Sequence, residues 1–127
     1  MSKTPEGRVK DFTTKFLINE GLCPSKDAST VTPDTAGKYT GWFHMPVPAF
    51  QGVMGQNDYH GAYKGRYFGI ETKVIGKDPT PLQRHQIQAI NLTGAVSFVV
   101  RTVEDLMWIK AWMQKVGKEI EILKQHL

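Results

Sequence analysis

The sequence is nearly devoid of cysteine. Cys23 is the single one in 127 residues. That excludes an intramolecular disulfide and a cysteine metal cluster, and it fits a reducing compartment. Long apolar runs are missing as well: nothing approaches the roughly 20 residues a membrane-spanning helix needs. The opening stretch, MSKTPEGRVK, lacks the apolar core of a signal peptide. Internal repeats and low-complexity tracts are absent. His44, His85 and His126 show no ligand spacing with one another. The expectation is one domain over residues 1–127, in the cytoplasm, with no membrane partner.

What is present is an ordinary hydrophobic fraction of 40%, enough for one core. The formal net charge is +4 and the isoelectric point about 9.2, a balance that suits a polyanion such as DNA or RNA.

Thr4-Pro5-Glu6 reads as a helix start, with Thr at the N-cap, Pro in the first turn and an acid near the positive end. Val9, Phe12, Phe16 and Leu17 continue at helical spacing, and Gly21 is the expected terminator. Residues 23–38 are polar and rich in turn formers, which predicts a loop. Tyr39–Met45 is aromatic and strand-like. A loop with Pro46, Pro48, Gly52 and Gly55 follows. Asn57–Tyr63 and Arg66–Ile75 form a hairpin about Lys64-Gly65. Thr80-Pro81 opens a second helix that Gly94 ends. Ala95–Arg101 reads as a buried strand. Residues 102–105 cap a third helix, which Gly117 is expected to break, leaving 118–127 as a separate C-terminal amphipathic helix. The fold class is therefore α/β in the order αβββαβα, with a mixed central sheet flanked by helices and a helical crossover into the last strand.

The hairpin carries the chemistry. With Lys64-Gly65 as a two-residue loop, Tyr63 faces Arg66 and Asp58 falls directly opposite Glu71. Opposed side chains stand about 4.5–5.5 Å apart on one face. Lys73, two residues on, projects from that face too, while Tyr59, Phe68, Ile70, Thr72 and Val74 take the other. Opposed carboxylates repel. A hard divalent cation such as Mg²⁺ or Mn²⁺ relieves the conflict, can polarise a phosphate and can acidify a bound water. Lys73 could orient that water or neutralise phosphate charge. The alternative is a set of solvated charges on an exposed sheet face, and a bulge at Gly65 would shift the register by one.

The stretch from Gly55 to Leu106 closely resembles the VRR-NUC group of the PD-(D/E)XK nuclease superfamily. The matching pattern is Gly55-x-x-Asp58, the hairpin, Ile70-Glu71-x-Lys73, Thr80-x-x-Gln83 at a helix start, Gly94, an apolar strand and an acidic helix cap. Asn57 stands where the superfamily name has Pro. The resemblance implies a restriction-endonuclease-like core and a metal held by Asp58, Glu71 and the backbone carbonyl of Thr72, with Glu6 as a further ligand. It implies that Lys73 serves the attacking water and that Gln83 sits beside the catalytic residues. It also implies an endodeoxyribonuclease acting on branched DNA, in the manner of a homodimeric Holliday-junction resolvase, of a small stand-alone type found in bacteria or in phage-infected cells. Alternatives are a less selective flap or duplex nuclease and a non-catalytic DNA-binding module. The last predicts loss of Asp58, Glu71 or Lys73, and all three are present.

Other candidates have simpler readings beside them. Thr80-x-x-Gln83 is also a capping box, and an acid at Glu6 needs only the helix macrodipole. His60 shares the face of Asp58, opposite Gly69, which leaves it room to lean toward a metal or phosphate. Lys64, Arg66, Lys77 and Arg84 flank the proposed site and could hold DNA phosphates, or be solvated charges. Trp108 and Trp112, one turn apart, read as core or interface.

Overall fold

The computed structural model describes residues 3–47 and 55–127. The loop expected about Pro48 and Gly52 lies outside them. Helix α1 spans Pro5–Asn19, capped by Thr4, whose side chain accepts from the Gly7 N–H. Gly21 follows at φ +90°, where a side chain would be strained. Strands β1 (Leu22–Pro24), β2 (Gly41–His44), β3 (Tyr59–Tyr63) and β4 (Arg66–Thr72) come next. Helix α2 (Pro81–Leu92), strand β5 (Val96–Val100) and helix α3 (Leu106–Gln125) complete the order. The five strands form one mixed sheet, β1-β2-β3-β4-β5. The outer pairs β1/β2 and β4/β5 are parallel, and the inner pairs are antiparallel.

The hairpin register is the expected one, Tyr63 against Arg66 and Tyr59 against Ile70. Lys64 at φ 49° and Gly65 at φ 83° give two successive positive angles, the mark of a type I′ turn. Helix α2 supplies the crossover that parallel β4 and β5 require.

Three expectations are corrected. Residues 23–38 are not a plain loop: the segment begins in β1 and carries short 3₁₀ turns at Ser25–Thr30 and Ala36–Lys38. It is the crossover that lets β1 lie parallel to β2. Strand β4 ends at Thr72, not Ile75, although the Lys73 N–H still donates to the Val100 carbonyl. Gly117 does not break the third helix, and 118–127 is no separate element. Helix α3 runs through it to Gln125, because the surrounding stretch anchors Met113 and Val116 in the core and one glycine costs only about 1 kcal/mol.

The core lies between one sheet face and helices α1 and α3. Phe43, Tyr59, Phe68, Ile70 and Val100 from the sheet meet Val9, Leu17, Ile109 and Met113 from the helices. Trp112 packs edge-on against Phe68 and Phe98, while Trp108 is 70% exposed. Helix α2 takes the opposite face over β5, where Asn91 Oδ1 accepts from the Ser97 N–H. Among the described residues, no helix covers the β2–β3 half of that face.

Candidate active site

Tyr59 is the link from core to site. Its ring is fully buried, and its hydroxyl donates to the Lys10 carbonyl at 2.8 Å and meets the Thr14 hydroxyl at 2.7 Å. Burial pushes this phenol up to about 12, so it stays protonated and can serve as the donor to that carbonyl. These bonds fix α1 across the end of the hairpin. They bring the Lys10 Nζ to 3.9 Å from Asp58 Oδ1.

Asp58 lies one residue ahead of β3. Asp58 Oδ2 accepts from the Thr72 N–H at 2.9 Å and from the Thr72 hydroxyl at 2.7 Å. Thr72, whose side chain was expected on the core face, is therefore also the orienter of Asp58. The physical reason is the strand end: the N–H of the last β4 residue needs an acceptor, and the nearest carboxylate supplies it.

Glu71 is 1% exposed. Its Oε1 accepts from Gln83 Nε2 at 3.0 Å and lies 4.0 Å from Lys73 Nζ. Its Oε2 is buried with no hydrogen-bond partner. Burial foremost, then the charge and close approach of Asp58, push Glu71 up to about 8, against the opposing pull of Lys73 and Lys10. The Asp58 charge thus bears directly on Glu71.

Gln83 closes its helix cap and also reaches Glu71. Its Oε1 accepts from the Thr80 N–H at 2.9 Å, closing the capping box. Its amide nitrogen then points at Glu71. A capping box needs only the oxygen of the Gln side chain, which leaves the nitrogen free for the site.

Asp58, Glu71, Thr72, Lys73 and Gln83 are brought together; the other candidates are not. Glu6 is exposed and lines an open cavity of about 490 Å³ with Thr4, Lys73 and Lys77, beside the acid pair. His60 turns away: its Nδ1 bonds the Tyr67 hydroxyl, and burial, then His44, lowers its pKa. The room expected over Gly69 is taken by the Asn57 amide, which a Cβ at Gly69 would strike. Lys64 and Arg66 sit at the far end of the hairpin, Lys64 over the Tyr63 ring and Arg66 at 3.8 Å from Glu119. They do not flank the acids. Arg84 is exposed one residue past Gln83.

Lys10, Asn57 and Arg101 were missed. Lys10 falls four residues after Glu6, a spacing that puts the two on one helix face. Asn57 is buried and donates to the Ser97 hydroxyl at 2.7 Å, which anchors the approach to Asp58. Arg101 holds the loop after β4 through the Lys77 carbonyl at 3.1 Å and Asp78 at 3.0 Å. Nothing in the sequence pattern marked either of the last two.

Among the described residues no three His, Cys, Asp or Glu side chains converge as a metal cluster. The acid pair still fits a hard cation. Glu71 Oε2 is an orphaned buried acceptor, Asp58 Oδ1 has Lys10 at 3.9 Å as its ion-pair partner among the described residues, and Mg²⁺ is commonly held by one or two carboxylates, with water and phosphate completing its shell.

No family model matches the chain, and neither characterised proteins nor solved structures gave a match. Among the described residues no helix is long and apolar enough to cross a membrane.

Proposed function

We propose that the protein is a divalent-metal-dependent endodeoxyribonuclease with a restriction-endonuclease-like core. The observation that carries this reading is the Asp58–Glu71 pair: two neighbouring acids, one with a buried oxygen lacking any partner, ringed by Lys10, Lys73 and Gln83. Holding two acids together is costly unless a cation or proton joins them.

Asp58 and Glu71 would hold Mg²⁺ or Mn²⁺, with the Thr72 carbonyl beside them. When bound, the ion would acidify water and polarise a phosphate. Thr72 keeps Asp58 aimed. Gln83 keeps Glu71 in one rotamer. Lys73, its side chain 18% exposed, would place its ammonium against the phosphate or the attacking water. Lys77 and Arg84 would hold flanking phosphates. The substrate would be branched duplex DNA, including four-way junctions. Symmetric cutting would need two copies, since each chain holds one acid pair. The exposed Ile122, Leu123 and Leu127 of the C-terminal end offer apolar surface for such pairing.

The test is incubation with labelled four-way-junction, flap and linear DNA in Mg²⁺, Mn²⁺ or EDTA, with Asp58→Ala, Glu71→Ala and Lys73→Ala alongside. Cleavage should require metal and vanish in each variant. Full activity in EDTA would sink the reading.

A further inference from the structure

The β2–β3 half of this sheet face, over which no helix packs among the described residues, carries exposed aromatic rings that the acid pair does not use. Pairing puts Trp42 against Ala62, and Ala62 against Tyr67, so the three form one row across β2, β3 and β4. The next row is His44, His60 and Gly69. Glu71 begins the row after that, on the same face, because side chains alternate along a strand. Tyr67 thus lies four residues from Glu71 along β4, roughly 13 Å, with Gly69 between them on that strand and the Asn57 amide packed over it.

These rings are exposed and already held. Trp42 is 42% exposed and Tyr67 40%. Trp42 stacks on His44 with the planes 10° apart. Tyr67 is fixed through its hydroxyl by His60 Nδ1. Ala62, the smallest side chain in the row, stands between Trp42 and Tyr67. The chain carries a net charge of +4.

We propose that this row is a stacking platform for unpaired bases of the DNA strand whose phosphate enters the acid pair. The proposal rests on the nuclease reading above. Rigid, exposed aromatic rings bind bases of any sequence, whereas the flat stacks of intact duplex offer them nothing. The separation from Glu71 is about four nucleotides at the duplex rise of 3.4 Å per nucleotide and fewer in a stretched strand. The platform therefore makes a single-stranded segment next to the cut part of the substrate. Frayed arms, flaps and junction centres all provide one.

The experiment is binding of a fluorescein-labelled 12-mer oligo-dT and of a blunt 12-base-pair duplex, followed by anisotropy in EDTA, with tryptophan emission read in parallel on unlabelled DNA. Oligo-dT should quench part of the emission of the wild-type chain. Trp42→Leu should remove that quench, and Trp42→Leu and Tyr67→Leu should each weaken oligo-dT binding about tenfold while duplex affinity holds. Tyr67→Phe, which keeps the ring and loses the bond to His60, should bind as wild type. It also covers the case in which a leucine variant is misfolded by circular dichroism. Unchanged oligo-dT binding in both folded leucine variants, or an equal loss for duplex, overturns the platform. Tyr67→Phe binding as poorly as Tyr67→Leu overturns stacking as its basis. Metal-dependent cleavage that survives alongside unchanged binding removes the platform alone. Ring-dependent binding without cleavage in any metal supports the platform and removes the nuclease.

Discussion

Glu71 is the residue on which the site turns, and its proton gives it a pH signature. Its native carboxyl titrates at about 8, against 4.5 for the ordinary group. Between those values the native chain binds a proton that the unfolded chain has released. Stability therefore falls as pH rises from about 4.5 to 8 and levels off above. Glu71→Gln keeps an acceptor for Gln83 and cannot ionise. It should flatten that fall in EDTA and raise stability at pH 8 by on the order of 1–3 kcal/mol, while abolishing cleavage. Thermal melts at pH 5 and pH 8 check this, and a wild-type Tm that rises across the window would refute it. Gln83→Glu completes the same cap but sets a third acid where the amide nitrogen touched Glu71. Cleavage should fall sharply, and the Tm should drop more at pH 8 than at pH 5. Unchanged cleavage would remove Gln83 from the site.

At the scale of elements, much was legible because local rules and tertiary packing agree. Thr4 and Thr80 cap their helices, and Lys64-Gly65 sets a turn whose length dictates every pairing along β3 and β4. Where they part, packing wins. Gly117 looks like a helix end in the sequence, yet Met113 and Val116 on one side and Ile120 beyond it share a face, and the helix continues. A methyl at Gly117 would meet only Lys64 Nζ, at 3.6 Å, an ordinary contact. Gly117→Ala should therefore stabilise the chain by roughly 0.5–1 kcal/mol, read from urea denaturation. Destabilisation would mean that the helix is not continuous there. The bend of Asp58 toward Thr72 was invisible in the register, since pairing specifies Cα partners and not which N–H captures a carboxylate. Lys10 was invisible for a similar reason: its place over Asp58 depends on Tyr59 clasping its carbonyl from another element. His60 does stand opposite Gly69, but the space there is taken by Asn57, which only the folded chain brings in.

For the whole molecule, the arrangement is polar in the directional sense. Acids and Lys73 gather at one end of the sheet, and Lys64 and Arg66 lie at the other. Phosphate affinity from the surplus of cations should be independent of sequence and weaken steeply with salt. Selectivity between substrates would come from the spacing of two copies, each with one acid pair. Light scattering should give the mass of a dimer, and junction DNA should be cut in preference to linear duplex at one salt concentration. A monomer cutting both equally would leave a simpler nuclease.

The two-residue turn has a consequence in time. β3 and β4 meet across Lys64-Gly65, whereas Leu22 must find Gly41 and Ile70 must find Phe98 across long intervening segments. Short closures form in microseconds and distant parallel pairings wait. The hairpin is then the earliest sheet unit, zipping from the turn toward its open end. Asp58 and Glu71 lie at that open end, so their mutual repulsion is met as the zipper closes. On the nuclease reading, the feature that would prepare a place for a cation would thus also be a brake on the first step of assembly, one that a divalent ion or a proton would release.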